Sequence, residues 1–341
     1  MKKIALVWGW SGWHITPLVS IYNFLKDDNN FEFFWIWEKD SLEEKIAKEN
    51  WIRFISTKSG KLRRYFSFKT LLEPFNIIAW ILSSKRILKQ EKPDIIFSKW
   101  GYVSLPVAIA AKKLGIKLFL HESDTIPWLA NRFVGKFASK IYVWFKKALE
   151  FFPSSKCELI WQILNPELFR DIQEVKKTDK TNLLVIAWSQ WSTRIFSFLA
   201  ENLNKLKNFD ITVILWSLNS HLKENFKDFS NVKTFDFINH SEIKNLYNEA
   251  DIAITRWSAT TLAELENFWI KLIVIPLKES ANNHQYYNAL EYEKKWSVVV
   301  LEDNLNDFLI DEIIKLKWYK KVPKDSFNNN ALDKIRDDLL N

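Results

Sequence analysis

Short apolar runs alternate with amphipathic stretches along the whole chain. Runs rich in Val, Ile, Leu and Phe at residues 3–7, 31–36, 52–56, 94–98, 117–120 and 140–143 have the length and composition of buried strands. Helical stretches fit between them at about 17–28, 41–49, 69–91, 105–114 and 127–138. The scheme then repeats, with strands expected at 182–187, 210–215, 232–235, 251–255, 271–276 and 298–301 and helices in between. Alternation of this kind implies parallel sheets joined by right-handed crossovers. The expected fold is therefore α/β, with two Rossmann-like doubly wound domains facing a cleft. A join near 152–165 divides the chain into domains over 1–160 and 161–341.

Composition changes the picture at the turns. The chain has 18 tryptophans and only six glycines. Together they make up about the glycine share of an ordinary protein, about 7%. The tryptophans also fall where glycine makes physical sense. The run Val7-Trp8-Gly9-Trp10-Ser11-Gly12-Trp13-His14 joins a strand to a helix. Such a turn needs positive φ angles and close backbone approach to a ligand, and three indoles would fill the ligand's space. We read many of these tryptophans as glycines of the natural protein, encoded by a UGA codon that the source organism reads as glycine. Richness in Lys, Asn, Ile and Phe fits an AT-rich genome in which such recoding arises. The alternative is a truly Trp-rich protein with plugged loops, and hence a non-catalytic scaffold.

Charge and cysteine content narrow the function classes. Cys157 is the only cysteine, which excludes a disulfide framework and a cysteine-based zinc site and points to a cytosolic, reducing compartment. No apolar run is long enough for a spanning helix or a signal peptide. Between residues 52 and 117, fourteen Lys or Arg stand against Glu73, Glu91 and Asp94, whereas the whole chain carries a net charge of only +8. Basic and bulky apolar residues mix there, as a surface docking on anionic lipid requires. No nucleic-acid-binding motif accompanies the charge, so no nucleic-acid partner is expected.

Candidate chemistry collects at expected strand ends, where open α/β sheets bind ligands. In the first half, residues 8–14 with glycine restored form a loop whose amides, with the following helix, suit a diphosphate. His14 at its rim is a candidate base. Ser98-Lys99-Trp100-Gly101-Tyr102-Val103-Ser104 follows the fourth strand and His121-Glu122-Ser123-Asp124 the fifth. In the second half, Trp188-Ser189-Gln190-Trp191 forms another strand-to-helix loop suited to phosphate oxygens. Arg256 to Glu264 ends a strand and opens a helix. There Glu264 is expected in the first turn, either as a helix-dipole carboxylate or as a ligand for two vicinal hydroxyls. Asn282-Asn283-His284-Gln285 opens a later helix with side-chain amides that suit sugar hydroxyls. No Asp-x-Asp pair stands at a strand end of the second half, so no metal and no cofactor is expected.

Together these motifs resemble the MurG family of glycosyltransferases. The family moves N-acetylglucosamine from UDP-N-acetylglucosamine to the 4-hydroxyl of undecaprenyl-diphosphoryl-N-acetylmuramoyl-pentapeptide. The resemblance runs from residue 1 to about residue 302 and rests on segments 9–17, 100–106, 121–131, 188–191, 256–264 and 284–288 in the family's order. Reading glycine at residues 8, 10, 13, 37, 51, 100, 128, 144, 161, 188, 191, 216, 257, 269 and 296 improves the match; residues 35, 80 and 318 stay undecided. The resemblance implies the glycosyltransferase B fold, with the last helix packed back on the N-terminal domain, and an inverting displacement without metal. It assigns Gly9, Gly12, His14, Gly101, Tyr102, Ser104, His121, Glu122, Asp124 and Asn131 to the acceptor side. Ser189 and Gln190 match the UDP-diphosphate loop, and Ile238 the uracil contact. Ala259, Thr261 and Glu264 lie in the ribose segment, and His284, Gln285 and Asn288 in the stretch that reads the sugar. His14 is implied either as catalytic base or as diphosphate ligand. A peripheral place on the cytoplasmic face of the plasma membrane follows, with an anionic membrane surface as partner.

Departures from the family pattern are local. Ser123-Asp124 replace Gln-Asn in the acceptor motif, the arginine before the linker is missing from 161–168, and Trp257-Ser258-Ala259 replaces a small-Gly-Ala run. Two other cleft enzymes remain open at this stage, a UDP-sugar 2-epimerase and a transferase for another glycolipid.

Overall fold

The computed structural model describes residues 1–7, 16–57, 73–99, 104–170, 179–187, 192–238, 240–278, 280, 283–293, 297–321 and 330–341. The chain divides into two units, one of Met1–Asn165 with Asn329–Asn341 and one of Pro166–Asn328. The division falls after Asn165 rather than after residue 160, and the final helix belongs to the first unit.

The first unit is built on a seven-stranded parallel sheet of β1 (Lys2–Val7), β2 (Phe31–Glu38), β3 (Arg53–Thr57), β4 (Ile95–Ser98), β5 (Lys117–Glu122), β6 (Lys140–Val143) and β7 (Cys157–Leu159). Their spatial order is β3-β2-β1-β4-β5-β6-β7. Its helices are α1 (Thr16–Leu25), α2 (Leu42–Glu49), α3 (Glu73–Glu91), α4 (Ser104–Leu114) and α5 (Leu129–Gly135). The second unit repeats the plan with β8 (Thr181–Ile186), β9 (Phe209–Ile214), β10 (Val232–Phe235), β11 (Ile252–Thr255), β12 (Lys271–Val274) and β13 (Val298–Val299). These lie in the order β10-β9-β8-β11-β12-β13. Helices α6 (Thr193–Asn202), α7 (Trp216–Asn219), α8 (His240–Glu249), α9 (Ala259–Asn267), α10 (His284–Glu293) and α11 (Asp307–Lys315) connect them, and α12 (Ala331–Leu340) closes the chain. All strand pairs are parallel, and central strands are apolar on both faces because helices cover both. Strand β7 is absent from the sequence reading. It is three residues long and carries Glu158 between Cys157 and Leu159, too little pattern to stand out from the join.

Strand order reverses between β1 and β4 in one sheet and between β8 and β11 in the other. Those are the switch points where loops diverge and leave a crevice at the carboxyl ends. The segments that begin at Ser98, His121 and Arg256 stand at the carboxyl ends of β4, β5 and β11.

Helix α12 packs through Ala331, Leu332, Ile335 and Leu339 into the core cluster that holds Ile4, Leu6, Leu18 and Trp35. Trp35 is fully buried in that cluster.

Three helix ends share one hydrogen-bond pattern. After α4, Ile116 N–H donates to Ala111 O (3.0 Å) around Gly115 at φ 71°. After α2, Ile52 N–H donates to Ala47 O (2.8 Å) around Trp51 at φ 58°. After α9, Ile270 N–H donates to Leu265 O (3.2 Å) around Trp269 at φ 60°. This is the Schellman closure, which puts its penultimate residue in the left-handed region and is normally filled by glycine. Trp216, between β9 and α7, has φ 56° as well. These three tryptophans stand at positions read as glycine from the sequence. At Trp37, Trp128, Trp144 and Trp257 φ is not positive, so backbone strain gives no argument for glycine there.

Candidate functional site

In the first unit the site forms at the ends of β4 and β5. Apolar strand residues carry the chain to the sheet edge, where polar residues begin abruptly at Ser98-Lys99 and His121-Glu122. Glu122 is almost wholly buried, and both its oxygens are engaged. Asn131, reaching over from α5, donates to Oε2 (2.8 Å), and the Asp124 amide donates to Oε1 (2.8 Å). Asn131 also spans to the Lys99 carbonyl (3.4 Å), so it ties β4, β5 and α5 together. Burial, reinforced by the Asp124 charge, raises the Glu122 carboxyl well above the usual range. His121 is fully buried and held neutral by burial and by the nearby Lys99 charge. Lys99 is 1% exposed, and burial lowers its ammonium to about 7 against the opposing pull of Asp124 and Glu122. Ser104 lies buried at the start of α4. The structure thus brings Ser104, His121, Glu122, Asp124 and Asn131 to one sheet edge. Gly9, Gly12, His14, Gly101 and Tyr102 lie outside the described residues.

Lys99 is not among the site residues expected from the sequence. A lysine after an apolar strand reads as a solvated edge residue, and only the packed sheet shows it to be enclosed.

In the second unit the corresponding edge lies at β11 and β12. Ser258 precedes α9, and the Thr261 hydroxyl donates to the Ser258 hydroxyl (3.2 Å), closing its first turn. Ala259 and Thr261 are buried there. Glu264 is not in the first turn as expected. Helix α9 begins at Ala259 and has no acidic residue in its opening turn, which removes the helix-dipole role. Instead Glu264 is buried, accepts a hydrogen bond from the Tyr247 hydroxyl (3.2 Å), and is raised by burial to about 7. Ile238 is buried beyond the end of β10. Gln285 Oε1 accepts from the Leu277 amide (2.9 Å), which ties the start of α10 to the segment after β12. Asn288 is fully buried on α10. The side chain of His284, and Ser189 and Gln190 altogether, lie outside the described residues.

A feature missed from the sequence is the carboxylate of Glu302. It forms a buried ion pair with Arg256, and it also accepts from Arg194 (3.1 Å) and from the Lys278 amide (3.3 Å). This clamp fixes the segments that follow β11, β12 and β13. Forty-odd residues separate Arg256 from Glu302, so no local pattern links them. Among the described residues no group of acidic, His or Cys side chains is placed to hold a metal ion.

Known proteins share the two-domain plan. The glycosyltransferase family 28 N-terminal domain matches residues 4–143, and the glycosyltransferase family 28 C-terminal domain matches residues 183–335. The UDP-N-acetylglucosamine--N-acetylmuramyl-(pentapeptide) pyrophosphoryl-undecaprenol N-acetylglucosamine transferase of Clostridium botulinum (strain Alaska E43 / Type E3) is 33% identical, over 99% of this chain and 97% of its own. The protein of the same name from Clostridium perfringens (strain 13 / Type A) is 34% identical, over 99% and 96%. Among solved structures, Acinetobacter baumannii MurG superposes with a TM-score of 0.71 at 18% identity, covering 100% of this chain and 95% of that one. The UDP-GlcNAc 2-epimerase of Neisseria meningitidis bound to UDP-GlcNAc superposes at 0.66 and 15% identity, covering 99% of both chains. At those identities the structures establish the shared architecture and do not choose between its chemistries.

Proposed function

The chain belongs to the MurG family of glycosyltransferases, and from that membership we infer that it transfers N-acetylglucosamine from UDP-N-acetylglucosamine to the lipid-linked muramyl-pentapeptide acceptor, the step that completes the disaccharide unit of peptidoglycan. The observation that carries this is identity of about a third over essentially the whole length of relatives named for that reaction. The epimerase-like architecture is accounted for by common fold alone. The acceptor's 4-hydroxyl attacks the anomeric carbon of the donor. The bond from that carbon to the diphosphate breaks, UDP leaves, and the hydroxyl proton passes to a base.

Assignment of roles goes further than the family and is our reading. The second unit binds the donor. Glu264 takes the two ribose hydroxyls, supported by its place beside the Ser258–Thr261 turn and by burial that strengthens a charged hydrogen bond. Ile238 lies against the uracil, and Ser189, Gln190 and the start of α9 serve the diphosphate and ribose. His284, Gln285 and Asn288 belong to the sugar-reading segment, with Gln285 and Asn288 acting chiefly as its framework. The first unit binds the acceptor at the ends of β1, β4 and β5, through the loop at 8–14 and the His121–Glu122–Asn131 cluster. His14 is the proposed base; removal of a general base costs about 10²–10⁴-fold in rate.

The first unit also docks on the membrane. No helix among the described residues is long and apolar enough to cross a bilayer. Yet Ile78 and Leu82 on α3 are 55% and 61% exposed, and Leu129 and Phe133 on α5 are exposed too. Lys89 on α3, Lys112 and Lys113 on α4 and Lys136 after α5 are exposed as well, and α4 packs against both α3 and α5. Shallow insertion plus attraction to anionic headgroups binds a protein peripherally. The cytoplasmic leaflet is the side we propose, as the family membership implies.

The decisive experiment supplies UDP-N-acetylglucosamine with and without the lipid acceptor. UDP release that requires the acceptor, together with a lipid-linked disaccharide, is expected. Formation of the C2 epimer in the absence of lipid would replace the transferase with an epimerase.

A further inference from the structure

The end of the first sheet holds more buried polar atoms than the described residues satisfy. Lys99 Nζ, both ring nitrogens of His121, Asn131 Oδ1 and the hydroxyls of Ser98 and Ser104 are shielded from solvent and have no hydrogen-bond partner among the described residues. A native interior leaves few such groups, and each one costs about 1–3 kcal/mol, more when charged. Their concentration at one sheet edge marks a place where a ligand completes the bonding. Lys99 is the extreme member. It is 1% exposed, and Glu122 and Asp124 favour its charge without giving it a hydrogen bond. Both Glu122 oxygens already accept from Asn131 and from the Asp124 amide. The amine therefore has an acidic neighbourhood that favours its charge and no acceptor for its hydrogen bonds among the described residues, while burial, the larger influence, lowers it to about 7.

We propose that Lys99 is an acceptor-binding residue whose ammonium donates its missing hydrogen bond to a phosphate oxygen of the diphosphate-linked acceptor. The inference rests on the transferase reading and adds a cation to an acceptor site so far built of amides, a neutral imidazole and carboxyl groups. It also explains why the cluster tolerates Glu122 beside an anion: burial keeps that carboxyl protonated near neutral pH, so Asp124 is the carboxylate that opposes the ligand's charge. Lys99 itself is lowered to about 7 by burial. A phosphate oxygen favours its charged form, so acceptor binding at pH 7.5 draws a proton onto the protein. The groups facing Lys99 are His121 and Glu122 from β5, Asp124 from the turn beyond and the amide of Asn131 from α5. His121 stays neutral across this range.

The test uses the full chain and its Lys99→Met and Lys99→Gln variants, with inorganic pyrophosphate as the binding probe and the lipid acceptor in steady-state assays. A hydrogen bond to a charged group contributes about 1.5–3 kcal/mol, which is a ten- to hundredfold effect. Lys99→Met should weaken pyrophosphate binding and raise the acceptor KM by about that much, leave the donor KM unchanged, and keep or raise the unfolding temperature, because an unsatisfied charge has been removed. Lys99→Gln retains a donor and should recover part of the affinity. Calorimetry in buffers of different ionisation enthalpy should show proton uptake in the parent protein only. Unchanged acceptor KM and pyrophosphate affinity in both variants would overturn the proposal. A fall in unfolding temperature with both KM values unchanged would also overturn it, by making Lys99 structural. A parent protein that binds pyrophosphate through Lys99 yet transfers no sugar would refute the transferase reading and leave this site standing.

Discussion

Trp51 and Trp269 sit where Gly115 sits, at the left-handed residue of a closing helix, each followed by isoleucine. A side chain in that conformation costs roughly 1–2 kcal/mol. Trp51 is 90% exposed, so its indole recovers little of that by burial. Trp51→Gly should therefore stabilise the first unit by about 1 kcal/mol, read as a rise in its unfolding midpoint. The same logic makes a statement about the gene. If the natural residue is glycine, the codons under 51, 216 and 269 are UGA, and the intact mass of protein from its source falls short of the printed sequence by the Trp–Gly difference at each such position. UGG codons there would sink the recoding reading. Glu264 gives a second prediction at this scale. Its carboxyl is raised from 4.5 to about 7, so between those pH values the folded chain holds a proton that the unfolded chain has released. Stability from this group is full below about pH 4.5 and lost as pH rises through 7. Glu264→Gln should remove that decline, a difference on the order of 3 kcal/mol between variant and parent across the window. Ribose hydroxyls donate to the ionised carboxylate, so UDP affinity of the parent should rise from pH 6 to 8, and Glu264→Ala should chiefly raise the donor KM. A donor KM unmoved by Glu264→Ala ends the ribose role.

At the scale of elements, strands and crossover helices were legible because a parallel strand covered on both faces is an unbroken apolar run. Phe31–Glu38 and Ile252–Thr255 read directly from the chain. Ligand loops were legible for the same reason: they follow such runs, and their polar residues stand out. What stayed hidden depends on distance in sequence. Glu302 finds Arg256 only after β11 and β13 are placed on either side of β12. Lys99 reads as solvated until packing encloses it, and Glu264 moved out of the first turn because α9 begins one residue after Ser258. The apolar face of α3 was legible only as a mixed basic and apolar segment; its exposed positions, Ile78 and Leu82, needed the packing of α3 on α4. Replacing both by glutamate removes two apolar anchors from the bilayer contact and adds charge that anionic lipid repels. Ile78→Glu/Leu82→Glu should cut binding to vesicles rich in anionic lipid while donor KM and unfolding temperature stay unchanged. Full retention on such vesicles would show that α3 is not the docking helix.

At the scale of the molecule, the chain returns to its beginning. Residues 166–328 complete the second unit, and the last helix then joins the first. Leu332, Ile335 and Leu339 enter the core beneath β1 and β2, while Asp338 accepts from the Tyr142 hydroxyl (2.8 Å) and pairs with Lys140. Arg336 meets Asp28 (3.2 Å), and Lys117 meets the Asn341 carbonyl (3.2 Å). Each buried aliphatic side chain contributes roughly 1.5–3 kcal/mol, so three of them amount to a large share of the 5–15 kcal/mol by which a domain is stable. Truncation before residue 329 also strips the cover from Ile4, Leu6 and Leu18, leaving apolar surface that water must solvate. The truncated chain should therefore lower the unfolding transition of the first unit by ten degrees or more, an order-of-magnitude figure for a loss of this size, and leave that of the second unit in place. Hydrogen exchange resolved by peptide is the measurement: faster exchange in β1, β2 and α1 with β8, β9 and β11 unchanged is expected. Loss of protection in both units alike would mean that the helix is not a private part of the first core.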